Sequence, residues 1–121
     1  MADVFKPGSP DEVAALIAAT QAPLEIRGLG TKWALGRPVP DGLAVLDLSR
    51  LSGLTLYEPE ELVLSACAAT PIKDIRAALA AKRQELAFDP PDWSGLLGGP
   101  SGSGGEGSIG GVIACNLSGP R

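Results

Sequence analysis

Two glycines flanked by cations form the segment of this chain best suited to chemistry. The run 24–27 predicts a short β-strand, and it leads into Gly-Leu-Gly-Thr-Lys at residues 28–32. Glycine tolerates positive φ and carries no Cβ, so backbone N–H groups around Gly28 and Gly30 can approach an anion closely. The Thr31 hydroxyl adds a further donor. The pattern predicts a phosphate-binding loop, and the alternative is an ordinary turn with two glycines.

The charges around this loop also favour an anionic ligand. Three cations and no acid lie between Ile26 and Pro40, in a chain whose net charge is -4; they are Arg27, Lys32 and Arg37. The loop is not a Rossmann fingerprint, because it lacks a third glycine at the required offset and no helix pattern follows it. It is not a Walker loop either, because no Gly-Lys-Ser/Thr sequence follows.

A second glycine motif lies near the end of the sequence. Residues 108–121 read Ser-Ile-Gly-Gly-Val-Ile-Ala-Cys-Asn-Leu-Ser-Gly-Pro-Arg. A short helix is expected to start at Gly110, and the N-terminus of a helix favours anionic groups. Asn116 and Gly119 are candidates for ligand contact, but they also fit a capped helix end that is followed by Gly and Pro.

Together the two motifs resemble the FAD-binding domain of the vanillyl-alcohol oxidase/PCMH flavoprotein superfamily. Within it, segments 23–38, 54–70 and 86–121 are similar to the FAD-binding subunits of bacterial glycolate oxidases. The shared sequences are Arg-Gly-Leu-Gly-Thr-Lys, Leu-Gly-Arg-Pro, Leu-Thr-Leu-Tyr-Glu-Pro-Glu-Glu-Leu-Val-Leu, Ala-Phe-Asp-Pro-Pro-Asp and Asn-Leu-Ser-Gly-Pro-Arg. The resemblance implies an α/β (α+β) fold: the first lobe of a PCMH-type domain, with a small mixed sheet, two main helices and a glycine-rich loop.

The resemblance also implies which residues contact FAD. Backbone amides of the first motif would hold the diphosphate, and the flat backbone of the second would lie along the flavin side. The implied cofactor-binding residues are Arg27, Gly28, Leu29, Gly30, Thr31, Lys32, Pro90, Ile109, Gly110, Gly111, Asn116 and Gly119. No catalytic residue and no metal ligand is assigned.

Two departures from the family pattern bear on how FAD would be held. Many members have Gly where this chain has Ala69, which puts contact by the turn 68–70 in doubt. Members with covalent flavin often carry His where this chain has Thr31, and the chain contains no His. Non-covalent FAD is therefore expected. A cysteinyl link through Cys67 or Cys115 stays open, with two reduced, buried thiols as the simpler expectation.

Local patterns predict the elements that position these motifs. Ser9-Pro10-Asp11-Glu12 is a capping box that opens a helix ending near residue 21. A second helix is predicted with Thr70 as its cap and Pro71 as its first residue. Strands are predicted at 24–27, 44–48, 54–57, 62–66 and 85–88. The inward faces are predicted as Val13, Leu16, Ile17 and Thr20 in the first helix and Ile72, Ile75 and Leu79 in the second.

Pro, Gly, Ser and Asp dominate residues 89–107. This composition fits a flexible linker, or a loop whose permissive backbone packs against a ligand. The acids of this region are predicted to be solvated turn residues rather than a catalytic pair; they are Asp89, Asp92 and Glu106. The larger aromatic side chains are expected to be packing anchors more often than ring-stacking surfaces; they are Trp33, Tyr57 and Trp93.

Composition excludes several classes of function. The 121 residues allow one domain (1–121), and a sequence pI of about 4.7 argues against a nucleic-acid surface. Without His there is no His-based metal site, no His general base and no Ser-His-Asp chemistry. No apolar run reaches the length of a membrane span, and the N-terminus lacks a signal-peptide pattern.

The resemblance implies part of an FAD-dependent oxidoreductase that acts on a 2-hydroxy acid, glycolate or D-lactate. Implied partners are the catalytic flavoprotein and iron–sulfur subunits of a glycolate oxidase, in the cytoplasm or peripheral to the inner membrane face. Because the sequence stops just after the Asn-x-x-Gly motif, it is expected to be an N-terminal lobe that is not catalytic alone and that can self-associate. The alternative is a scaffold half-domain without flavin.

Overall fold

The computed structural model describes residues 2–97, 105–116 and 118–119. Within them, strands in two small sheets combine with four helices, which confirms the predicted mixed α/β class. In chain order the elements are β1 (Val4–Phe5), α1 (Pro10–Ala19), β2 (Leu24–Arg27), β3 (Ala44–Asp47), β4 (Leu54–Glu58), a 3-10 turn (Pro59–Glu61), β5 (Val63–Ala66), α2 (Ile72–Ala80), α3 (Ser94–Leu97) and α4 (Ile109–Ala114).

The strands form two small sheets rather than one. The first is parallel, with β3 in the middle between β1 and β2. Arg27 pairs with Asp47, so β2 and β3 end at the same edge of the sheet. Val45 and Leu46 on the central strand are buried, as expected for a strand of a parallel sheet covered on both faces. A crossover connection, which parallel strands require, carries α1 between β1 and β2.

The second sheet is the antiparallel hairpin β4–β5. Its turn closes with Leu62 in the left-handed region at φ 56°. The Tyr57 hydroxyl donates to Gln84 Oε1 at 2.6 Å, and the Gln84 amide donates to the Pro59 carbonyl at 2.7 Å. These bonds hold the hairpin against the segment that follows α2, so Tyr57 is a packing anchor, as its residue type predicted.

Among the elements, α2 contributes the largest share of the buried core. Ile72, Ile75 and Leu79 are buried on one helical face, which confirms the prediction from their spacing. The start of α2 also lies against the start of α4. The Ile72 amide donates to the Gly107 carbonyl, and the Ile109 amide donates to the Thr70 carbonyl, both at 3.0 Å. The first turns of these two helices are therefore held together.

Thr70 does not cap α2 as predicted. The helix begins at Ile72, and its N-cap Pro71 has no capping side chain. Thr70 is only 1% exposed. Its hydroxyl oxygen lies 2.9 Å from the Gly53 amide, 3.1 Å from the Gly53 carbonyl and 2.7 Å from the Cys67 carbonyl. Thr70 therefore links the turn before β4 to the turn after β5.

Several boundaries differ from the sequence prediction. Residues 85–88 do not form a strand, and the extended pairing there is one bridge between Asp89 and Gly119. The two-residue β1 was not predicted, because it is too short to show a period. The predicted first helix ends at Ala19 and is capped by Ser9. Its Ile17 is 51% exposed instead of lying on the packed face.

The predicted glycine-rich loop is described only at its two ends. Residues 94–97 form α3, and the amide of Ser94 donates to Asp92 Oδ1 at 2.9 Å. Residues 98–104 lie outside the described residues. Both predictions for this segment, a flexible linker and a loop packed against a ligand, therefore stay open.

Candidate functional site

A cleft of about 830 Å³ opens at the edge of the parallel sheet where β2 and β3 end. This size suits a cofactor, and ligands of α/β sheets bind outside the carboxyl ends of the strands. Four parts of the chain line it: residues 25–39 with Asp41, Leu48 just after β3, the turn at 68–69, and the region where α4 begins and ends. The predicted site residues that it brings together are Arg27, Gly28, Leu29, Gly30, Thr31, Lys32, Gly110 and Gly111.

The glycine loop keeps its backbone donors uncommitted. Among the described residues, none accepts a hydrogen bond from the amide N–H groups of residues 28–32. Gly30 has φ +71°, where a side chain would be strained. At Gly28 a Cβ would lie 3.1 Å from Ser108 Oγ, so Gly28 allows the loop to approach the start of α4 closely. The loop thus has the properties that the sequence predicted for anion binding.

The Thr31 hydroxyl is a second uncommitted donor. Thr31 is 7% exposed, and within the described chain its hydroxyl has no hydrogen-bond partner. No described side-chain polar atom is both fully buried and unbonded. The Thr31 oxygen is therefore reachable from outside the protein, at the cleft that the residue lines.

Arg27 is held in place by two neighbours. Its Nη2 lies 3.1 Å from Glu25 Oε1, and its guanidinium carbon lies 4.1 Å from the centroid of the Trp33 ring, a cation–π contact. Trp33 is 62% exposed and lines the cleft, so the prediction that it is a packing anchor is wrong. Arg27 is therefore oriented by an acid and an aromatic ring at the cleft, and its contact with the cofactor stays a prediction.

The Ile-Gly-Gly segment differs from the loop, because its amides are all used inside the protein. The amide of Ile109 donates to Thr70 O at 3.0 Å, that of Gly110 to Ala68 O at 2.8 Å, and that of Gly111 to Ser108 Oγ at 3.3 Å. A Cβ at Gly110 would lie 2.7 Å from Ala68 O. This segment forms the first turn of α4, and its backbone amides offer no spare donors.

Four predicted site residues lie outside the cleft lining. Pro90 is buried, and Ile109 is half-buried at the first position of α4. Asn116 follows α4 with φ 50°, which fits the helix-end alternative. Gly119 exchanges two backbone hydrogen bonds with Asp89, at 2.8 and 3.2 Å. Cofactor contact by these four residues stays a prediction.

The cleft also contains residues that the sequence did not assign. Ala68 and Ala69 line it, although the loss of the family's glycine had put contact by this turn in doubt. Cys115 lines it as well and is exposed, so the expectation of two buried thiols is wrong; Cys67 is half-buried, and both are unpaired. Pattern alone could not place these residues, because their position depends on the packing of α4 against residues 68–70.

The acids near the site have structural partners. Asp89 and Glu106, predicted to be solvated turn residues, both bind Arg76. Asp92 is a turn residue as predicted, and hydrogen bonds from Ser94 lower its pKa. Burial acts to raise the pKa of Asp47, but hydrogen bonds from Ser49 and the Lys6 ammonium at 3.0 Å outweigh it and lower that pKa.

Within the described residues there is no candidate metal centre and no helix that could span a membrane. The His, Cys, Asp and Glu side chains of the described residues form no group that could hold a metal ion. The helices in the same part of the chain are all too short or too polar to cross a membrane.

Comparison with known proteins gives the family. A family model described as an FAD binding domain matches residues 1–121. The Escherichia coli (strain K12) protein named glycolate oxidase subunit GlcE is 39% identical over 101 residues, 84% of this chain. That match spans 25% of the relative's length. No solved structure matches significantly. The chain therefore belongs to the FAD-binding domain family, and its cofactor is FAD.

Proposed function

We propose that this chain is the FAD-binding part of an oxidoreductase subunit that oxidises a 2-hydroxy acid such as glycolate or D-lactate. The family supports the cofactor, and the name of the E. coli relative supports the reaction. Since the chain matches only a quarter of that relative, the substrate and the reaction are inferred for the whole protein. Residues that bind the substrate would lie outside these 121 residues or in another subunit.

The observation that carries this proposal is the set of uncommitted amides in residues 28–32. They stand at the carboxyl edge of the sheet, beside the reachable Thr31 hydroxyl. A diphosphate needs several donors of this kind, and backbone amides supply them without the entropy cost of ordering long side chains. The residues present therefore fit the diphosphate of FAD, which the loop would hold non-covalently.

The Ile-Gly-Gly backbone is proposed to lie along the flavin side of the cofactor. Because the amides of Ile109, Gly110 and Gly111 are already bonded, this surface would contribute shape and contact rather than hydrogen bonds. Bound FAD supplies the hydride-accepting chemistry, and the protein binds and orients it. Among the described residues we assign no acid or base to the reaction, so these 121 residues alone are not proposed as a complete catalyst.

The proposed partners are other subunits, because the relative's name describes a subunit; their types come only from the sequence resemblance. They are a catalytic flavoprotein subunit and an iron–sulfur subunit that accepts electrons, in the cytoplasm or at the inner membrane face. Self-association is the other proposed contact. It is supported by exposed apolar side chains such as Leu62 (80% exposed) on the hairpin and Ile113 (69% exposed) on α4.

The test is binding of FAD and ADP by the full-length protein with Gly30 replaced by Val. A β-branched residue at φ +71° is strained, and the loop should lose its donor geometry. We expect affinity for both ligands to fall at least about tenfold, equivalent to about 1.4 kcal/mol.

The matched control is Gly42→Val. Gly42 has φ +84°, nothing lies within 4 Å of its Cβ position, and it does not line the cleft. Gly42→Val therefore imposes similar backbone strain away from the loop, and it should leave the affinity for FAD and ADP unchanged. Equal affinities in the wild type and Gly30→Val would show that the loop is only a turn.

The alternative function is a scaffold half-domain without flavin, and the exposed apolar side chains named above favour it. The purified full-length protein distinguishes the two. Flavin absorption bands in the protein as isolated support the proposal. A colourless protein that takes up no added FAD supports the scaffold.

A further inference from the structure

Arg76 on α2 connects the two described ends of the segment 89–107. Its Nε donates to Glu106 Oε2 at 3.0 Å and its Nη2 to Glu106 Oε1 at 2.7 Å, which is a bidentate pair. The same Nη2 also donates to Asp89 Oδ1 at 3.1 Å. The hydrogen bond to Glu106 is the main reason that the pKa of Arg76 is raised.

The backbone next to Glu106 lies directly on the glycine loop. The Lys32 ammonium donates to the Glu106 carbonyl at 3.5 Å. Gly107, at φ +84°, packs so closely on the loop that a Cβ there would lie 2.7 Å from Thr31 Oγ1 and 3.2 Å from Lys32 Nζ. The position of residues 106 and 107 therefore limits where Thr31 and Lys32 can be.

The opposite side of this segment is fixed to α2. The Ile72 amide donates to the Gly107 carbonyl at 3.0 Å, and Ser108 forms a bridge with Pro71. Residues 106–108 thus lie between α2 and the loop. The bidentate pair with Arg76 is the side-chain contact that fixes Glu106 between α2 and the glycine loop.

We infer that Arg76 is a positioning residue for the diphosphate loop: it fixes Glu106, whose carbonyl holds Lys32 and whose neighbour Gly107 packs on Thr31. Arg76 does not line the cleft, so its proposed role is indirect and needs no contact with the cofactor. Lys32 forms no ion pair with a carboxylate within the described chain, so its charge remains available to a phosphate. The inference rests on the proposed function, because it concerns the same loop.

The test measures ADP and FAD affinity in full-length Arg76→Met. The long apolar side chain keeps the packing of α2 and removes both hydrogen bonds to Glu106. We expect both affinities to fall about tenfold, as for the loss of a charge-assisted pair. Asp89→Asn is the matched control, because Asp89 binds the same guanidinium but is 59% exposed and its backbone pairs with Gly119. It should change affinity less than about twofold.

A double-mutant cycle with Lys32→Ala distinguishes positioning from a general loss of stability. If Arg76 acts through Glu106 and Lys32, removing Lys32 should weaken ADP binding much less in the Arg76→Met background than in the wild type. Glu106→Gln provides a milder variant should Arg76→Met fold poorly, and it should show the same dependence on Lys32.

The outcomes separate the two proposals. Binding of FAD by the wild type, together with unchanged affinity in Arg76→Met or Glu106→Gln, would overturn this inference and leave the proposed function standing. Full additivity with Lys32→Ala would also overturn it. Failure of the wild type to bind FAD or ADP would overturn both.

Discussion

Gly110 shows that a glycine in a cofactor motif can be required by packing. The resemblance predicts it as a flavin contact, and it does line the cleft. Its amide, however, is bonded to Ala68 O, and the space for a side chain is filled by the backbone and Cβ of Ala68. The sequence could identify the motif, but it could not separate ligand contact from the approach of α4 to residues 68–70.

Replacing Gly110 with Ala should destabilise the protein by about 1–3 kcal/mol, the usual range for overpacking. The clash is with backbone atoms at 2.7 and 3.0 Å, which cannot move aside without shifting the turn. Urea denaturation of the purified protein measures this loss.

Gly111→Ala is the control in the same helix, because the nearest atom to its Cβ position is Ser108 Oγ at 3.3 Å. Alanine favours helix by about 1 kcal/mol over glycine. This variant should be neutral or more stable. An equal loss in both variants would show that α4 rejects side chains generally, and that Gly110 has no special contact.

At the scale of elements, prediction succeeds where a period is long enough to read. The spacing of Ile72, Ile75 and Leu79 identifies the buried face of α2, and the apolar run of β3 identifies a buried strand. The two-residue β1 has no period. The failure at 85–88 has a different cause: the apolar run there is typical of a strand, but within the described chain pairing begins only at Asp89.

Thr70 is the clearest case in which tertiary contacts override a local signal. Thr followed by Pro is a good helix start by type, yet its hydroxyl bonds to Gly53 and Cys67. Thr70→Val keeps the shape but removes the hydroxyl of a residue that is only 1% exposed, together with its hydrogen bonds to Gly53 and Cys67. We expect a loss of about 1–3 kcal/mol in the free energy of unfolding.

Two further variants check that interpretation in the same denaturation experiment. Thr70→Ser keeps the hydroxyl and should recover most of the stability. Thr20→Val removes a hydroxyl bonded to Leu16 O at 2.7 Å, but the site is only half-buried at the end of α1, where water can replace the bond. Its loss should stay below about 1 kcal/mol. A Thr70→Val protein as stable as the wild type would contradict the role assigned to this hydroxyl.

At the scale of the whole molecule, folding brings together two motifs that are about 80 residues apart in the sequence. The glycine loop lies at the sheet edge because it follows the end of β2. The second motif lies beside it because the first turns of α2 and α4 are hydrogen-bonded to each other. The resemblance predicted this meeting. It did not predict that one motif keeps its amides free and the other uses them, which depends on contacts among distant segments.

This division of roles leads to a prediction about how FAD is held. The loop amides and the Ile-Gly-Gly turn of α4 both offer reversible contacts, and the chain has no His for a histidyl bond. Precipitating the full-length protein in acid should therefore release its FAD into the supernatant, where absorption measures it. Of the two thiols, only Cys115 lines the cleft, so it is the residue of this chain that could make a covalent bond instead. Flavin that stays with the precipitate of the wild type but is released from Cys115→Ser would show such a bond and contradict non-covalent binding.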